Sequence, residues 1–431
     1  PDAPIPELAL GFRVQLYGMD HFYKLFTSRQ LTALDVFSDL VGSLPTFTGQ
    51  CASEPARVLY VQALKTYMGF LVSRLANYSS TICSWHSGAK YETVTSTFAR
   101  QALPMSWDFA ECNPFSSSSG NWASGADWVA RCIATATPHD PPVSHAIQRE
   151  ACDACREATS AAISTDPPYY DNIGYADLSD FFYIWLRRCL QDSIPQLFRT
   201  ITTPKAEELI ATPHRHGEDW DRAKEFFENR LGTVFEAARV AQCEELPLTV
   251  FYAFKQTESA VAPEGAPYSS EHASTGWETM LEGLIQSGLA VTGTMPIRTE
   301  LTGNLKKNVS ALASSIVLVC RPRTSSAPLA SRRELLEKLR RELPEALRGL
   351  QSSSIAPVDL AQAAIGPGMS VFSQFSRVVE PDGSPMRVRA ALALINQVLD
   401  ETLAQREGDY DPWSRWAVKW FEQHGVEAGP Y

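Results

Sequence analysis

The chain has 431 residues, 44% of them apolar, which is enough to bury a large core and to form two or three lobes. It contains no run of 18 apolar residues, and nothing near Pro1 resembles a signal peptide, so neither a membrane-spanning helix nor a secretion signal is expected. Its nine scattered cysteines argue against a disulfide scaffold and indicate reduced thiols in the cytoplasm. The formal net charge of −11 argues against DNA binding by this chain alone, because phosphate contacts need clustered Lys and Arg.

The first part of the chain is predicted to be mainly helical. Helices are expected over 20–40 and 56–78, and the second has apolar residues at helical spacing. Residues 106–128 are rich in Trp, Ser and Gly and are predicted to form a loop. Helical sequence resumes over about 127–160, interrupted by the Pro-rich segment 138–142.

From residue 161 the pattern becomes α/β. A short buried strand is predicted over 161–165, and the sequence Asp177-Leu178-Ser179-Asp180 predicts a helix start with a capping box. This helix has an apolar stripe that we interpret as core packing, formed by Leu178, Phe181, Phe182, Trp185, Leu186, Cys189 and Leu190.

Three further strands are predicted to complete the sheet. The first is 246–255, followed by a helix over 276–288 that ends at Gly288 as its C-cap. Strands 289–299 and 313–322 are predicted to form an antiparallel pair.

Helical sequence returns near the end of the chain, over 331–350 and 386–405. The predicted division is therefore a mainly helical region 1–160, an α/β region 161–325 and a helical C-terminal annex 326–431.

The sequence Asp166-Pro167-Pro168-Tyr169 directly follows the predicted strand 161–165. A carboxylate and a backbone carbonyl here can both accept hydrogen bonds from an exocyclic amino group and aim its nitrogen lone pair at an electrophile. Proline's fixed φ stiffens such a turn, and Tyr169 offers a face for a planar ring. The alternative interpretation is a rigid turn that leaves a strand.

The segment 166–188, DPPYYDNIGYADLSDFFYIWLRR, resembles the catalytic segment of one family. This family comprises large prokaryotic adenine-specific DNA methyltransferases of the DUF1156 type, which carry a zinc ribbon and are often found among anti-phage genes. Further blocks that resemble the family follow in order through nearly the whole chain, at 10–34, 108–122, 251–258, 274–288, 292–300, 311–323 and 356–373.

The resemblance implies part of a Rossmann-like class I methyltransferase sheet, S-adenosylmethionine as methyl donor and DNA as substrate. It implies that Asp166, Pro167, Pro168 and Tyr169 are catalytic and that a flipped base stacks on Tyr169. It also implies adenine N6 as the methylated atom, in a restriction or anti-phage system. The chemistry of the motif alone fits cytosine N4 equally well.

Polar residues also follow two other predicted strands, at 255–258 and 298–300. Ligands of α/β sheets bind at the carboxyl ends of parallel strands, so Lys255 and Arg298 are candidates for substrate binding, together with Tyr170. The alternative is that each polar cluster is only the start of a loop. Residue 295 is Met in this chain, whereas the family that it resembles has Trp at the matching position.

Two further candidates come from loops. Lys205, in a block TPKAEE that matches the family, is a candidate for substrate binding, and the alternative is an ion pair with a nearby carboxylate. Asn113-Pro114-Phe115 is a candidate loop over the cofactor or the base, and the alternative is an ordered surface loop.

Methyltransferases of this fold bind S-adenosylmethionine through a Gly-rich turn after the first strand. No such turn precedes Asp166, and Ile365-Gly366-Pro367-Gly368 follows sequence that is predicted to be helical. The family's zinc ribbon is absent too, and no initiator Met precedes the first residue. We therefore expect a C-terminal portion or one half of a split enzyme, with an upstream segment or companion polypeptide that carries the cofactor loop. The alternative is a non-catalytic subunit for DNA recognition or scaffolding.

No metal site is expected. Cys152 and Cys155 form a lone C-x-x-C, whereas zinc needs about four ligands. His214 and His216 lie too close together in sequence to complete a clear site. We expect free thiols on a helix.

Overall fold

The structure is a computed structural model, and it describes residues 2–9, 11–44, 53–88, 92–136, 144–168, 170, 173–252, 271–298, 314–352, 357–408, 411, 413–414, 417 and 420–421. Its content is 53% helix and 12% strand with small mixed sheets, which confirms the predicted mixed α/β class, whereas the Rossmann-like methyltransferase sheet stays a prediction.

The chain divides into two compact units. Unit 1 comprises Pro1–Ile147 and Asp171–Asp219, and unit 2 comprises Gln148–Tyr170 and Trp220–Tyr431. These bounds do not coincide with the predicted boundaries after residues 160 and 325.

Unit 1 is mainly helical. Its helices are α1 (Ser28–Gly42), α2 (Glu54–Tyr78), α3 (Trp122–Ala136) and α5 (Tyr175–Leu190). It also has an antiparallel hairpin of β1 (Trp85–Ser87) and β2 (Glu92–Val94) and four short 3-10 turns, Val14–Tyr17, Phe22–Leu25, Pro195–Leu197 and Pro213–Arg215.

Helix α5 supplies much of the core of unit 1. Phe181 and Trp185 are fully buried, and the ring of Phe26 lies 5.5 Å from each of them. The remaining members of the predicted stripe are buried with them or pack against the same core. The interpretation of this stripe as core packing is confirmed.

Unit 2 contains a four-stranded sheet in the order β3-β4-β6-β5. The strands are β3 (Ser164–Thr165), β4 (Leu248–Tyr252), β5 (Leu289–Arg298) and β6 (Ser314–Pro322). β3 lies parallel to β4, and β6 is antiparallel to both β4 and β5. The predicted antiparallel pairing of the last two strands is confirmed.

Six helices of unit 2 accompany this sheet within the described part of the chain: α4 (Ala151–Glu157), α6 (Trp220–Ala241), α7 (Glu271–Gln286), α8 (Arg332–Ser352), α9 (Pro357–Ser373) and α10 (Val388–Gly408). A short parallel pair is formed by β7 (Leu329–Ser331) and β8 (Arg377–Val379). Gly288 follows α7 with φ +83, the left-handed conformation expected of a glycine C-cap. Helix α6 was not predicted.

The cysteines that the structure describes are all free thiols, and Cys152 and Cys155 lie on α4 as expected. No group of metal-ligating side chains occurs among the described residues. Over the same residues, none of the helices is long and apolar enough to cross a membrane.

Candidate active site

Asp166, Pro167 and Pro168 directly follow the last residue of β3, at its carboxyl end and beside the parallel strand β4. Asp166 is exposed, and the two prolines are half-buried. Among the described residues no partner of the Asp166 carboxylate occurs, and an exposed carboxylate at this end of a strand can accept a hydrogen bond from a ligand. Tyr169 lies outside the described residues.

Tyr170 is buried and only 6% exposed. Its ring meets the ring of Phe227 on α6 edge to face, with 5.0 Å between the ring centroids. In this position Tyr170 anchors the end of the motif in the core of unit 2, and its ring offers almost no exposed face to a substrate.

Gly276 on α7 permits a close approach to the same tyrosine. A Cβ atom at this glycine would lie 2.9 Å from the Cβ of Tyr170 and 3.4 Å from the hydroxyl of Tyr252 at the end of β4. The ring of Trp277 lies 5.5 Å from that of Tyr252. A buried aromatic cluster of Tyr170, Phe227, Tyr252 and Trp277 therefore fixes the motif to β4, α6 and α7.

Lys205 lies in unit 1 and pairs with a buried carboxylate. Its Nζ is 2.7 Å from Oδ2 of Asp180, which is fully buried on α5. The backbone N–H and the hydroxyl of Thr203 donate to Oδ1 of Asp180 at 2.8 and 2.6 Å. Lys205 thus makes the ion pair that was the alternative to substrate binding.

Arg215 forms a second ion pair with the same helix. Its Nη2 lies 2.9 Å from Oδ2 of Asp177, and its Nη1 lies 2.5 Å from Oε2 of Glu208. The other oxygen of Glu208 accepts a hydrogen bond from the backbone N–H of Ala176 at 2.8 Å. Burial lowers the pKa of Arg215, but the hydrogen bond to Glu208 and the charge of Asp177 outweigh it and raise the pKa overall.

The predicted capping box over 177–180 is wrong. Helix α5 begins at Tyr175, with Gly174 as its N-cap, so both aspartates lie inside the helix. Their carboxylates bind the segment 203–215 of unit 1, because the cations and N–H groups there compensate their burial. The acidic residues of this stretch therefore hold a loop to the helix.

The carboxylates and cations described above form an ion-pair cluster of Asp177, Asp180, Lys205, Glu208 and Arg215. His214 lies next to this ion-pair cluster. Burial disfavours the charged imidazolium and lowers the pKa of His214 below its ordinary value of 6.5, and the neighbouring Arg215 and His216 act in the same direction. The carboxylates of Asp177 and Glu218 oppose the shift and only partly offset it.

We expect the free energy of unfolding to fall as the pH drops below about 6.5, because the unfolded chain then takes up a proton at His214 before the folded chain does. The stability that depends on a neutral His214 is fully present above the pKa that His214 has in the unfolded chain. It is lost as the pH falls towards the pKa that His214 has in the folded chain. His214→Gln removes this proton uptake, so it should lose less stability than the wild type between neutral and mildly acidic pH. Urea unfolding of both proteins at several pH values measures the difference, and parallel pH profiles would contradict the expectation.

Asn113, Pro114 and Phe115 form an ordered turn before α3 in unit 1. The side-chain carbonyl of Asn113 accepts from the backbone N–H of Phe115 at 3.0 Å, and the carbonyl of Pro114 accepts from Trp122 at 2.9 Å. The ring of Phe115 is 79% exposed. These contacts are those of an ordered surface loop, and this turn and Asp166 belong to different units.

The other two strand-end candidates fall largely outside the described residues. Lys255 and its neighbours 256–258 are not among them, nor are Thr299 and Glu300. Arg298 is the last residue of β5 and its backbone lies opposite Ser314, but its side chain is not described. Their substrate-binding role stays a prediction.

The Gly366-Pro367-Gly368 sequence lies inside helix α9, as its predicted helical context required. A Cβ atom at Gly366 would lie 2.0 Å from Oγ1 of Thr294 on β5, and one at Gly368 would lie 2.5 Å from Ile395 on α10. These glycines allow α9 to pack closely on its neighbours, which leaves no space for a nucleotide. Residues of this segment therefore do not fit S-adenosylmethionine.

Gly366→Ala is expected to destabilise the protein by about 1–3 kcal/mol, because the added methyl group overlaps Thr294. Gly→Ala inside a helix ordinarily stabilises by up to about 1 kcal/mol, so the sign is reversed here. Gly232→Ala on α6 is the matched control, since a Cβ there meets nothing within 4 Å. Chemical denaturation measures both, and a stabilised Gly366→Ala would contradict the packing described.

Sequence reasoning missed the aromatic cluster and the ion pairs of Arg215, and it gave the ion pair of Lys205 only as an alternative. Phe227 and Gly276 lie far along the chain from Tyr170, and only the fold brings them together. No protein-family model, no curated protein and no solved structure matches the chain.

Proposed function

We propose that this protein is an S-adenosylmethionine-dependent DNA amino-methyltransferase, with adenine N6 as the favoured target. The observation that carries the proposal is the exposed Asp166 at the carboxyl end of β3, beside the parallel strand β4. Ligands of α/β sheets bind at this edge. The last strand of a methyltransferase sheet is antiparallel to its neighbours, and the orientation of β6 agrees with such a sheet.

In the proposed mechanism the target base leaves the duplex, because its amino group is inaccessible inside the stack. The Asp166 carboxylate and the Pro167 carbonyl accept hydrogen bonds from the two N–H bonds of the amino group. This draws the nitrogen lone pair out of conjugation with the ring and fixes its direction. Tyr169 provides the stacking surface for the flipped base.

The methyl donor is proposed to bind with an upstream segment or a companion polypeptide. This proposal is supported by the packing of Gly366 and Gly368. These glycines allow α9 to lie close against β5 and α10, so they do not form a cofactor-binding turn. In this scheme the described residues provide the half of the site that holds the base, and DNA and the companion are the partners.

The test is transfer of a labelled methyl group to a panel of substrates. The protein is assayed alone and together with its upstream segment or companion, on DNA with adenine or cytosine targets, on RNA and on a protein with exposed glutamine. Label in DNA at adenine N6 is the expected result. Label at cytosine N4, in RNA or in protein corrects the substrate, and no label in any substrate rejects the proposal.

A non-catalytic DNA-recognition or scaffold subunit is the second candidate. It is favoured by the same packing of Gly366 and Gly368, because this glycine segment, within the described part of the chain, is used for helix packing and not for holding a cofactor. Binding of S-adenosylmethionine, measured with and without the upstream segment or companion, separates the two. Binding in neither case supports the scaffold.

A further inference from the structure

Unit 1 carries an open groove of about 340 Å³. One wall is the loop 98–101, and the other is one face of α5 at helical spacing, Tyr175, Leu178, Ser179 and Phe182. This volume is within the range of pockets that hold a small organic ligand.

The floor of the groove is formed by aromatic rings in mutual contact. The rings of Phe98 and Phe182 lie 5.3 Å apart, and each lies 5.1 Å from the ring of the fully buried Phe181. The backbone N–H of Phe98 donates to the side-chain carbonyl of Asn77 at 3.2 Å, which ties the loop to the end of α2. Tyr175 is 46% exposed at the rim. The groove therefore offers a preformed surface for a planar ring.

The rim also carries an unneutralised cation. Several basic side chains of unit 1 are paired with carboxylates, as Arg29 is with Glu111 and Arg188 with Asp35 and Asp39. Arg100 is exposed and, over the part of the chain that the structure describes, has no carboxylate partner. In a chain of net charge −11, a free guanidinium beside an aromatic floor selects a ligand with a planar ring and an anionic group.

We propose that this groove binds one nucleotide of the single-stranded part of the nucleic-acid substrate. The base lies against Phe98, Phe182 and Tyr175, and the phosphate pairs with Arg100. The assignment of the ligand to the substrate strand rests on the proposed function, and five residues, 170–174, separate the motif from α5 in the sequence. The adenosyl group of S-adenosylmethionine has similar ring chemistry, so the test contains an arm for it.

The test measures fluorescence anisotropy of a labelled single-stranded oligonucleotide of about 12 nucleotides with the full chain. Tyr175→Ala is expected to raise the dissociation constant about fivefold or more, and Tyr175→Phe to restore binding. Arg100→Gln is expected to weaken binding. It should also reduce, by about 0.7, the steepness with which the logarithm of the association constant falls with the logarithm of the salt concentration, because one phosphate contact with a single strand is lost.

Arg131→Gln is the matched control, because Arg131 is also exposed and its Nε donates only within α3, to the carbonyl of Asp127 at 3.4 Å. This variant should bind the oligonucleotide like the wild type. Equal weakening by Arg131→Gln, unchanged binding by Arg100→Gln and Tyr175→Ala, or no oligonucleotide binding by the wild type would each overturn the proposal.

The second arm measures binding of S-adenosylmethionine to the same variants. If Arg100→Gln and Tyr175→Ala weaken binding of this donor and leave oligonucleotide binding unchanged, the groove is a donor subsite and the proposal is overturned.

Methyl transfer separates this proposal from the proposed function. A groove variant that binds the oligonucleotide normally while the wild type methylates DNA rejects only the groove, and groove-dependent binding without methyl transfer rejects only the function.

Discussion

Asp166→Ala is expected to reduce methyl transfer by about a hundredfold to a thousandfold or more, the usual cost of removing one group that stabilises the transition state by a hydrogen bond. The variant loses the carboxylate that orients the amino group and keeps the backbone carbonyl of Pro167. The fold should be unaffected, because Asp166 is exposed and substitutions at such positions usually change stability by less than about 0.5 kcal/mol.

Asp192→Ala is the control for this variant, since Asp192 is an exposed aspartate that follows α5 and belongs to no proposed site. It should methylate DNA at the wild-type rate. Circular dichroism and thermal unfolding establish that both variants are folded, and labelled methyl transfer gives their rates. Wild-type activity in a folded Asp166→Ala protein would end the proposed role of the motif.

Arg215→Ala is expected to lower the free energy of unfolding by about 3–5 kcal/mol. The side chains of Asp177 and Glu208 are 3% and 16% exposed, and without Arg215 both carboxylates stay buried and lose the guanidinium that pairs with them. The cost arises from the desolvation of these uncompensated charges more than from the lost attraction. Denaturant unfolding measures the change.

Arg29→Ala provides the matched control, because Arg29 makes a similar hydrogen-bonded pair with Glu111 while its own side chain is 82% exposed. Exposed ion pairs contribute about 0–1 kcal/mol, so this variant should be nearly as stable as the wild type. Replacing Asp177 and Glu208 by leucine in the Arg215→Ala protein should recover part of the loss. Equal effects of the two arginine variants would contradict the role of burial.

The regular elements were largely predictable from local patterns. β5 was expected over 289–299 and spans Leu289–Arg298, and α2 was expected over 56–78 and spans Glu54–Tyr78. α6 was missed although Ala223, Phe227, Leu231 and Phe235 repeat at four-residue spacing along it, a signal that sequence reading could have used.

The contacts of the candidate site were not predictable in the same way. Acidic residues at Asp177 and Asp180 fit two structures equally well, a capping box at a helix start and two buried carboxylates inside a helix. Only the cations Lys205 and Arg215, which lie farther along the chain, decide for the second structure. The burial of Tyr170 depends on Gly276 across the fold. A single sequence contains no signal that pairs such residues, whereas the motif at Asp166 was recognisable because its chemistry is local.

The bounds of the two units have a consequence for how the protein forms during synthesis. The segment 148–170 belongs to unit 2, yet the next 49 residues, 171–219, belong to unit 1 before the chain returns at Trp220. Ser164 pairs with Thr249, 85 residues later. Such a long loop is costly to close, and β4 must leave the ribosome before β3 has a partner. Asp166 is thus positioned late, after the whole of unit 1 has been made.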